Sequence, residues 1–505
     1  MLDFGAQYAH LICRRIRECG VYAELARYDT PASAIQRSDV KGLIFSGGPA
    51  SVYAKNAPLC DVSLFEAQLP MLGICYGLQM MVHLLGGRVQ RAKQREYGHA
   101  VLRIEQPQPL FSGLPRQVRC WMSHGDAAEM LPRDFVSVAH TENSPYAAIR
   151  HRCKPWFALQ FHPEVSHTAQ GVDILRNFVL GVCACTPTWD VEKVLERRVH
   201  EVRQQVQQSR VLCAVSGGVD STVTAALVHR AVGPQLTCIF VDTGLLRKGE
   251  AVEVSRTLQR RFGASFVAVQ ASERFLSPLR GLRDPEAKRR AIGRQFVRVF
   301  TAESKKHGPF EWLAQGTLYP DVIESAASRG PASRIKTHHN VGGLPGTLRF
   351  KLLEPLRELY KDEVRRLAEL LGLPRNLWRR HPFPGPGLAV RIIGEVTADK
   401  LRICREASAI VEEELQRTGF YDRVWQAFAI VGEDRGVGVL GDERAYGHIV
   451  TIRVVESQDG MTADWVRLPF RVLERMSNRI TNEIPGVSWV TYAVSSKPPA
   501  TIEPQ

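Results

Sequence analysis

Short apolar runs alternate with segments of helical pattern over much of the chain, and this alternation constrains the fold more than any other feature. Between Lys41 and Gly181 the apolar runs include "GLIFSGGP", "PMLGIC" and "WFALQFHPE", whereas "GVDILRNFVLGV" has a helical pattern. Strands that alternate with helices in this way build sheets with helices packed on their faces. We therefore predict that the first part of the chain is an α/β domain.

The alternation is interrupted and then starts again. A break at "CTPTWD" is followed by a charged helical segment and by the strand-like "RVLCAV" at Arg210–Val215. This second α/β region runs to about Arg380, where "HPFPGPGLAVR" brings together three prolines and two glycines that no regular element tolerates. Beyond it, strand-like "YGHIVTIRVVES" and "SWVTYAVSS" flank the helical "PFRVLERMSNRITNEI". The last part of the chain is therefore predicted to be a small α+β domain rather than a third α/β domain.

A chain of 505 residues is too long for a single compact core, so several domains are expected from size alone. The predicted fold class is α/β, with two doubly wound α/β domains followed by a small α+β domain. We place the boundaries of these domains at residues 1–187, 188–380 and 381–505.

Composition limits the classes of binding partner, the kinds of metal or disulfide site and the cellular compartment that we expect. The net charge of +14 favours anionic partners, but it does not distinguish nucleic acid, a membrane surface and phosphorylated small molecules. The 11 cysteines include no Cys-x-x-Cys pair, which argues against a structural zinc site or a disulfide framework. No apolar stretch approaches the length of a membrane span, so we expect a cytoplasmic protein.

Cys75 lies where a predicted strand turns into a predicted helix. In "PMLGICYGLQM", Gly73 and Gly77 on either side of it allow a tight turn and the approach of a substrate. Unpaired amides and the dipole at a helix N-terminus favour the thiolate form of such a cysteine. "FHPEV" supplies His162 and Glu164 on one face of an expected extended strand, so the carboxylate can orient the imidazole. Alone, Cys75 would be a buried small apolar residue; with the other two it predicts a nucleophile and its base.

A glycine-rich loop connects another predicted strand to a helix. "RVLCAV" is followed by "SGGVDST" at Ser216–Thr222 and by the helical "VTAALVHRAV". Such a loop binds anions because its amides and the helix dipole both point at the bound group. It is not a Walker A loop, since the Gly-Lys-Ser/Thr ending is absent. Asp220 adds a carboxylate able to hold Mg²⁺, and Ser216 and Ser221 add hydroxyl groups, which together predict a phosphate site.

The ordered set "SGGP … GICYGLQ … FHPE" resembles the class I glutamine amidotransferases, in which a Cys–His–Glu triad hydrolyses the side-chain amide of glutamine. The resemblance implies that Cys75 is the nucleophile, His162 the general base and acid, and Glu164 the orienting carboxylate. It also implies an oxyanion hole at Gly48 and Tyr76. The intermediate would be a glutamyl thioester and the product ammonia.

The loop "SGGVDST" resembles the pyrophosphate loop of the N-type ATP pyrophosphatases, which cleave ATP between its α and β phosphates and adenylate an oxygen of the acceptor. The resemblance assigns ATP binding to seven consecutive residues: Ser216, Gly217, Gly218, Val219, Asp220, Ser221 and Thr222. It also implies that Mg²⁺ accompanies ATP, with Asp220 as a metal ligand, and that no organic cofactor is tightly bound.

Further segments extend the resemblance over essentially the whole chain, to the GMP synthetase family. They include "DPEAKRR", "YPDVIES", "IKTHHN", "HPFPGPGLAVR" and "SSKPPATIE". The resemblance implies the substrates XMP, ATP and glutamine, with no nucleic-acid or membrane partner. XMP would be aminated to GMP through an adenyl-XMP intermediate, and the chain would form a homodimer through residues 381–505.

Matching positions assign further roles by the same resemblance. The candidate XMP contacts are Arg289, Gln426, Asp442, Lys497 and Glu503. Lys336 and His338 would lie on a lid near the ATP phosphates. Asp321 and Glu324 would lie beside the pyrophosphate loop. Cations suit a nucleotide phosphate, and acids suit a purine N–H group or a metal ion.

Three departures from the family pattern stand out. The strand that precedes "DFG" in the family is nearly absent before Asp3, so we expect a truncated strand and an amidotransferase half that is less stable than the rest. Coinciding thermal melts of the chain with and without a restored strand would contradict this expectation. "FAIVGEDRGVGVLGDE" replaces the usual Leu-Pro-Val-Arg near Asp442, and "TIEPQ" stands where Trp-Glu normally closes the chain.

Two other interpretations remain open at this point. The first is another ATP-dependent amidotransferase, such as an NAD-synthetase-like or tRNA-modifying enzyme, which "KPPATIE" and "HPFPGPGLAVR" argue against. The second is a nucleotide-binding or nucleic-acid-binding regulator that uses the net charge of +14. The intact triad and loop argue against a regulator, and DNA binding with a steep salt dependence would favour it.

Overall fold

The computed structural model describes residues 1–6, 9–165, 167–322, 350–440, 443–457, 460 and 462–505. The chain divides into two compact units, Met1–Lys193 and Val194–Gln505. The three domains predicted from the sequence, with boundaries at 187/188 and 380/381, remain a prediction. Four predicted site residues lie outside the described residues: Glu324, Lys336, His338 and Asp442.

The first unit is built on one mixed sheet. Its strands are β1 (Leu2–Asp3), β2 (Ala26–Arg27), β3 (Leu43–Phe45), β4 (Met71–Ile74), β5 (Arg88–Ile104), β6 (Gln117–Met130), β7 (Phe135–His140), β8 (Ala148–His151) and β9 (Trp156–Leu159). Its helices are α1 (Ala9–Glu18), α2 (Ala32–Ile35), α3 (Tyr76–Leu84) and α4 (Gly171–Arg176). The strand order is β2-β1-β3-β4-β9-β8-β7-β5-β6, parallel from β2 to β9 and antiparallel beyond it.

Every residue of β4 and β9 is buried, as expected for parallel strands covered on both faces. These two neighbouring strands lead directly to Cys75 and to His162. The strand expected to be short, β1, consists of two residues between β2 and β3, where Leu2 pairs with both Ala26 and Phe45.

The second unit contains two sheets. Its strands are β10 (Val211–Ala214), β11 (Leu236–Asp242), β12 (Phe266–Gln270), β13 (Trp312–Ala314), β14 (Lys351–Leu353), β15 (Gln426–Leu440), β16 (Glu443–Glu456), β17 (Asp464–Trp465) and β18 (Val487–Tyr492). Its helices are α5 (Val191–Val206), which starts in the first unit, α6 (Val219–Val232), α7 (Glu250–Phe262), α8 (Ser272–Leu276), α9 (Pro285–Lys306), α10 (Lys361–Leu370), α11 (Arg375–Trp378), α12 (Ala398–Arg417) and α13 (Phe470–Glu483).

The two sheets of the second unit differ in kind. The order β12-β11-β10-β13-β14 is parallel throughout, which is the doubly wound pattern. The other sheet pairs β15, β17 and β18 with β16, and α12 and α13 pack on it. The predicted fold class, α/β domains followed by a small α+β part, is confirmed. No helix in the described part of the chain combines the length and apolarity that a membrane crossing requires.

The segment "HPFPGPGLAVR" is part of the core. Leu388, Ala389 and Val390 are fully buried, and Leu388 and Ala389 belong to one apolar cluster with residues of both sheets. Gly387 has φ +65°, and a Cβ there would lie 2.4 Å from the carbonyl oxygen of Leu245. The second half of the segment, Gly387–Arg391, is thus buried rather than an exposed linker.

Candidate active site

Cys75 occupies a strained turn between β4 and α3. It is the N-cap residue of α3 and has φ +52° and ψ −103°, a conformation that a residue with a Cβ rarely adopts. Its amide donates to the carbonyl of Leu159 on β9, at 2.7 Å. The side chain is buried, with Sγ 3.7 Å from the Ser123 carbonyl and 3.8 Å from Gln160 Nε2. The turn therefore presents the thiol at the carboxyl end of the sheet.

The flanking glycines act differently from what the sequence suggested. The positive φ lies at Cys75 itself, and Gly73 and Gly77 instead permit close packing. A Cβ on Gly73 would lie 2.7 Å from the backbone of Gly77, and one on Gly77 would lie 2.4 Å from the Phe45 carbonyl oxygen of β3. Helix α3 consequently contacts the sheet backbone to backbone beneath the thiol.

His162 and Glu164 form a buried pair. Nδ1 of His162 lies 2.7 Å from Oε1 of Glu164, although the two residues lie on an irregular continuation of β9 rather than on the expected strand. Burial lowers the pKa of His162, but the negative charges of Glu164 and Cys75, and hydrogen bonds to both, raise it well above its usual value. Glu164 Oε2 is buried without a hydrogen-bond partner among the described residues.

The main chain around His162 is tied to β6. The His162 amide donates to the Trp121 carbonyl at 3.0 Å, and the Thr168 hydroxyl donates to the His162 carbonyl at 2.6 Å. The same hydroxyl accepts from the Trp121 amide at 3.1 Å. Sequence reasoning did not single out Trp121 or Thr168, because neither type at its position carries a recognisable signal.

The "SGGP" turn lies against the thiol and the imidazole. A Cβ on Gly47 would lie 3.2 Å from Cε1 of His162 and 3.7 Å from Cβ of Cys75, and one on Gly48 would lie 3.4 Å from Cγ of Tyr76. Tyr76 is the first residue of α3, so its amide belongs to those without an intrahelical acceptor. The structure thus brings together all five residues predicted for the glutaminase site.

The predicted pyrophosphate loop joins β10 to α6. Gly217 has φ +81°, and Gly218 is the N-cap of α6. The Ser216 and Ser221 hydroxyl oxygens lie 3.0 Å apart, and the Ser216 amide donates to Ser221 Oγ at 3.1 Å. Val219 starts the helix, so the first amides of α6 point into the loop.

Asp220 lies in the first turn of α6. Its Oδ2 pairs with Nζ of Lys361, the first residue of α10, and its Oδ1 is buried without a partner among the described residues. A Cβ on Gly316 would lie 3.0 Å from the Asp220 carbonyl carbon, so the segment after β13 packs against this turn. Asp321, in the same segment, accepts from the Leu318 amide at 2.9 Å. The unpartnered oxygen fits the predicted role of Asp220 as a metal ligand. Sequence reasoning missed Lys361 because it reads as one charge of a surface helix.

Three of the described candidate XMP contacts lie along the segment 503–505. Gln426 Nε2 donates to Glu503 Oε1 at 2.5 Å, and Arg289 Nη2 donates to the Gln505 carbonyl at 2.5 Å. Lys497 lies elsewhere, with Nζ 2.8 Å from the Gly460 carbonyl oxygen. The structure thus places Gln426, Arg289 and Glu503 together and gives Lys497 a different neighbourhood.

Comparisons with known proteins assign the family. Residues 1–182 match the model "Glutamine amidotransferase class-I", and residues 413–504 match "GMP synthase C terminal domain". A "GMP synthase [glutamine-hydrolyzing]" from Thermomicrobium roseum is 55% identical, over 100% of this chain and 95% of that protein. The chain belongs to the glutamine-hydrolysing GMP synthase family.

Other GMP synthases are similar to nearly the same extent. The protein of that name from Caldanaerobacter subterraneus subsp. tengcongensis is 54% identical, over 100% of this chain and 98% of that protein. The one from Gloeothece citriformis is 52% identical, over 100% and 94%. The predictions of a glutamine amidotransferase and of a ligase of GMP biosynthesis are therefore confirmed.

Proposed function

We propose that this GMP synthase aminates XMP at C2 in two chemical stages, with ammonia released from glutamine in the first unit and XMP activated by ATP in the second. The observation that carries the first stage is the buried His162–Glu164 pair beside Cys75. Support for the second stage comes from the loop at the N-terminus of α6.

In the glutaminase stage, Sγ of Cys75 attacks the side-chain amide carbon of glutamine, and the developing oxyanion accepts from the amides of Gly48 and Tyr76. His162 then donates its proton to the leaving nitrogen, which departs as ammonia and leaves a glutamyl thioester. Water, deprotonated by His162, hydrolyses the thioester. The raised pKa of His162 supports this role, because the imidazolium is both the proton donor and the counter-charge of a thiolate.

In the synthetase stage, residues Ser216–Thr222 hold the β and γ phosphates of ATP while the O2 oxygen of XMP attacks the α phosphorus. Pyrophosphate leaves, and ammonia displaces AMP from C2 to give GMP. Mg²⁺, held by Asp220, would neutralise phosphate charge. The buried Oδ1 of Asp220 supports that assignment, and the net charge of +14 suits anionic substrates.

We further propose that the enzyme is a cytoplasmic homodimer that pairs through residues 381–505. Exposed apolar side chains on β15, β16 and β18 support an interface there: Val437, Val439, Tyr446 and Trp489, which are 43–74% exposed. Sedimentation equilibrium tests the dimer: Tyr446→Glu, which places a charge in the apolar patch, is expected to give monomers. A single dimeric species for both proteins would contradict the interface.

Nitrogen-donor kinetics test the whole proposal. XMP loss is followed with ATP and Mg²⁺, once with glutamine and once with ammonium as donor. Cys75→Ala is expected to abolish the glutamine-dependent rate and preserve the ammonium-dependent one, whereas Asp220→Ala is expected to abolish both. If Cys75→Ala lowered both rates equally, the assignment of two separate stages would fail.

A further inference from the structure

A fully buried guanidinium lies against Glu503, one of the candidate XMP contacts. Arg391, at the end of "HPFPGPGLAVR", has 0% exposure. Its Nε donates to Oε2 of Glu503 at 3.1 Å, and its Nη2 donates to Oε1 at 3.0 Å. Two parallel hydrogen bonds fix both the position and the plane of a carboxylate, which one ammonium cannot do. The orientation of Glu503 is therefore set by Arg391.

Arg391 is itself held in one orientation. Its guanidinium carbon lies 4.1 Å from the ring centre of Phe428 and 4.9 Å from that of Phe383. Phe428 is fully buried, and Phe383 lies in the same proline-rich segment as Arg391. A planar cation packed against two rings has little rotational freedom. The carboxylate bound to it is preorganised before any ligand arrives.

Gln426 completes an arrangement that offers acceptors. Its Nε2 donates to Glu503 Oε1 at 2.5 Å and to the Pro382 carbonyl at 3.1 Å. Both partners are acceptors, so the amide orientation is fixed and both amide hydrogens are used. Among the described residues, no hydrogen bond uses the carbonyl oxygen of Gln426 or the one remaining lone pair of the Glu503 carboxylate, on Oε2, so both are left for a ligand. A group recognised here must donate hydrogen bonds.

We propose that Arg391 is a positioning residue of the synthetase reaction, which orients Glu503 and, through it, Gln426 to accept the ring N–H groups of the purine base. The inference rests on the proposed amination of XMP and on the prediction from the sequence that Gln426 and Glu503 contact XMP. The neutral xanthine base carries hydrogens on N1 and N3 and can satisfy two acceptors, whereas hypoxanthine carries a hydrogen on N1 alone. The same arrangement therefore selects XMP over IMP.

A double-mutant cycle on the full-length enzyme tests the proposal, with ammonium as donor so that the glutaminase stage is bypassed. Arg391→Gln and Glu503→Gln are each expected to raise KM for XMP about 10- to 100-fold and to leave KM for ATP unchanged. KM for XMP of the double variant is expected to be no higher than that of the more impaired single variant, because Arg391 acts through Glu503. Arg417→Gln, which breaks an ion pair to the buried carboxylate of Glu414, is the matched control and should leave KM for XMP unchanged.

Two more measurements separate positioning from mere structure. Arg391→Lys keeps the charge but loses the paired hydrogen bonds, so its KM for XMP should lie between those of the wild type and Arg391→Gln. The ratio of the IMP inhibition constant to KM for XMP should fall in both single variants. Multiplicative effects in the cycle, equal rises in both KM values, or failure of both Arg391 variants to fold would overturn the proposal. A wild-type enzyme that does not consume XMP would instead refute the proposed function on which it rests.

Discussion

The imidazole of His162 and the carboxylate of Glu164 are joined by a 2.7 Å hydrogen bond in a buried site, two residues apart in the chain. The pair gives the glutaminase stage its charge balance. Burial alone would lower the pKa of His162, and the negative charges of the Glu164 carboxylate and the Cys75 thiolate raise it instead.

Replacing Glu164 by Gln should therefore lower the pKa of His162 and shift the activity profile. The protonated imidazole loses its neighbouring negative charge, so the high-pH limb of kcat/KM for glutamine moves to lower pH. The maximal rate should fall roughly 100-fold or more. The ammonium-dependent rate is the internal control; an unchanged glutamine profile would show that Glu164 does not set the charge of His162.

The same pair predicts a pH-dependent stability. Because the pKa of His162 is raised on folding, the stabilisation is fully present below the ordinary value of 6.5 and is lost as pH rises through the raised value. The difference in Tm between wild type and Glu164→Gln should therefore be largest near pH 6 and shrink in alkaline buffer. A constant difference across that range would contradict the assignment.

Gly77→Ala should destabilise the first unit by about 3 kcal/mol, since the new methyl group would meet the Phe45 carbonyl oxygen at 2.4 Å. Gly181→Ala is the matched control, because a Cβ there has nothing within 4 Å. Urea unfolding monitored by circular dichroism compares the two. Equal midpoints would mean that α3 can shift away from β3 without cost.

His381 should make the second unit sensitive to acid. Burial lowers the pKa of His381 to about 4, and its ring stacks on Tyr421 with centres 4.0 Å apart. Between about pH 6.5 and 4 the imidazole of His381 is protonated in the unfolded chain but neutral in the folded one. The free energy of unfolding therefore declines as pH falls through this range. His381→Gln should lose less Tm than wild type between pH 7.5 and 5. An equal loss in both proteins would assign the acid sensitivity to other groups.

Lys361→Met should weaken the synthetase stage alone. The ammonium Nζ of Lys361 pairs with Asp220 in the loop that we assign to ATP, so its loss leaves a partly buried carboxylate facing phosphate. KM for ATP should rise about 10-fold, with glutaminase turnover unchanged. Lys351→Met, which removes an exposed ion pair to Glu311, is a suitable control.

Local sequence rules were sufficient for the parts of the site that lie on one segment. The turn at Cys75, the pair at His162 and the loop at Ser216 each follow from residue types within a few positions, and the alternation of strands and helices follows from apolar periodicity. The partners from distant segments could not be predicted in this way. Lys361 meets Asp220 across 141 positions, and such a pairing depends on tertiary packing.

The sequence also did not reveal which residue at a site carries the unusual backbone angle or which buried side chain positions another. Gly73 and Gly77 suggested that the glycines themselves make the tight turn, yet the unusual backbone angle falls on Cys75, between the strand and the helix. Arg391 had no signal beyond its place after a proline-rich run. Its importance comes from Phe383, Phe428 and Glu503, which lie up to 112 positions away.

The contact of α3 with the sheet has a consequence for local opening and amide hydrogen exchange in the first unit. Gly73 and Gly77 meet the neighbouring backbone without intervening side chains, so no rotamer change can loosen the joint. The amide of Cys75, bonded to the carbonyl of Leu159 on β9, reaches solvent only when the N-terminus of α3 separates from the strands. Its deuterium uptake should therefore proceed as slowly as the unfolding of the entire first unit.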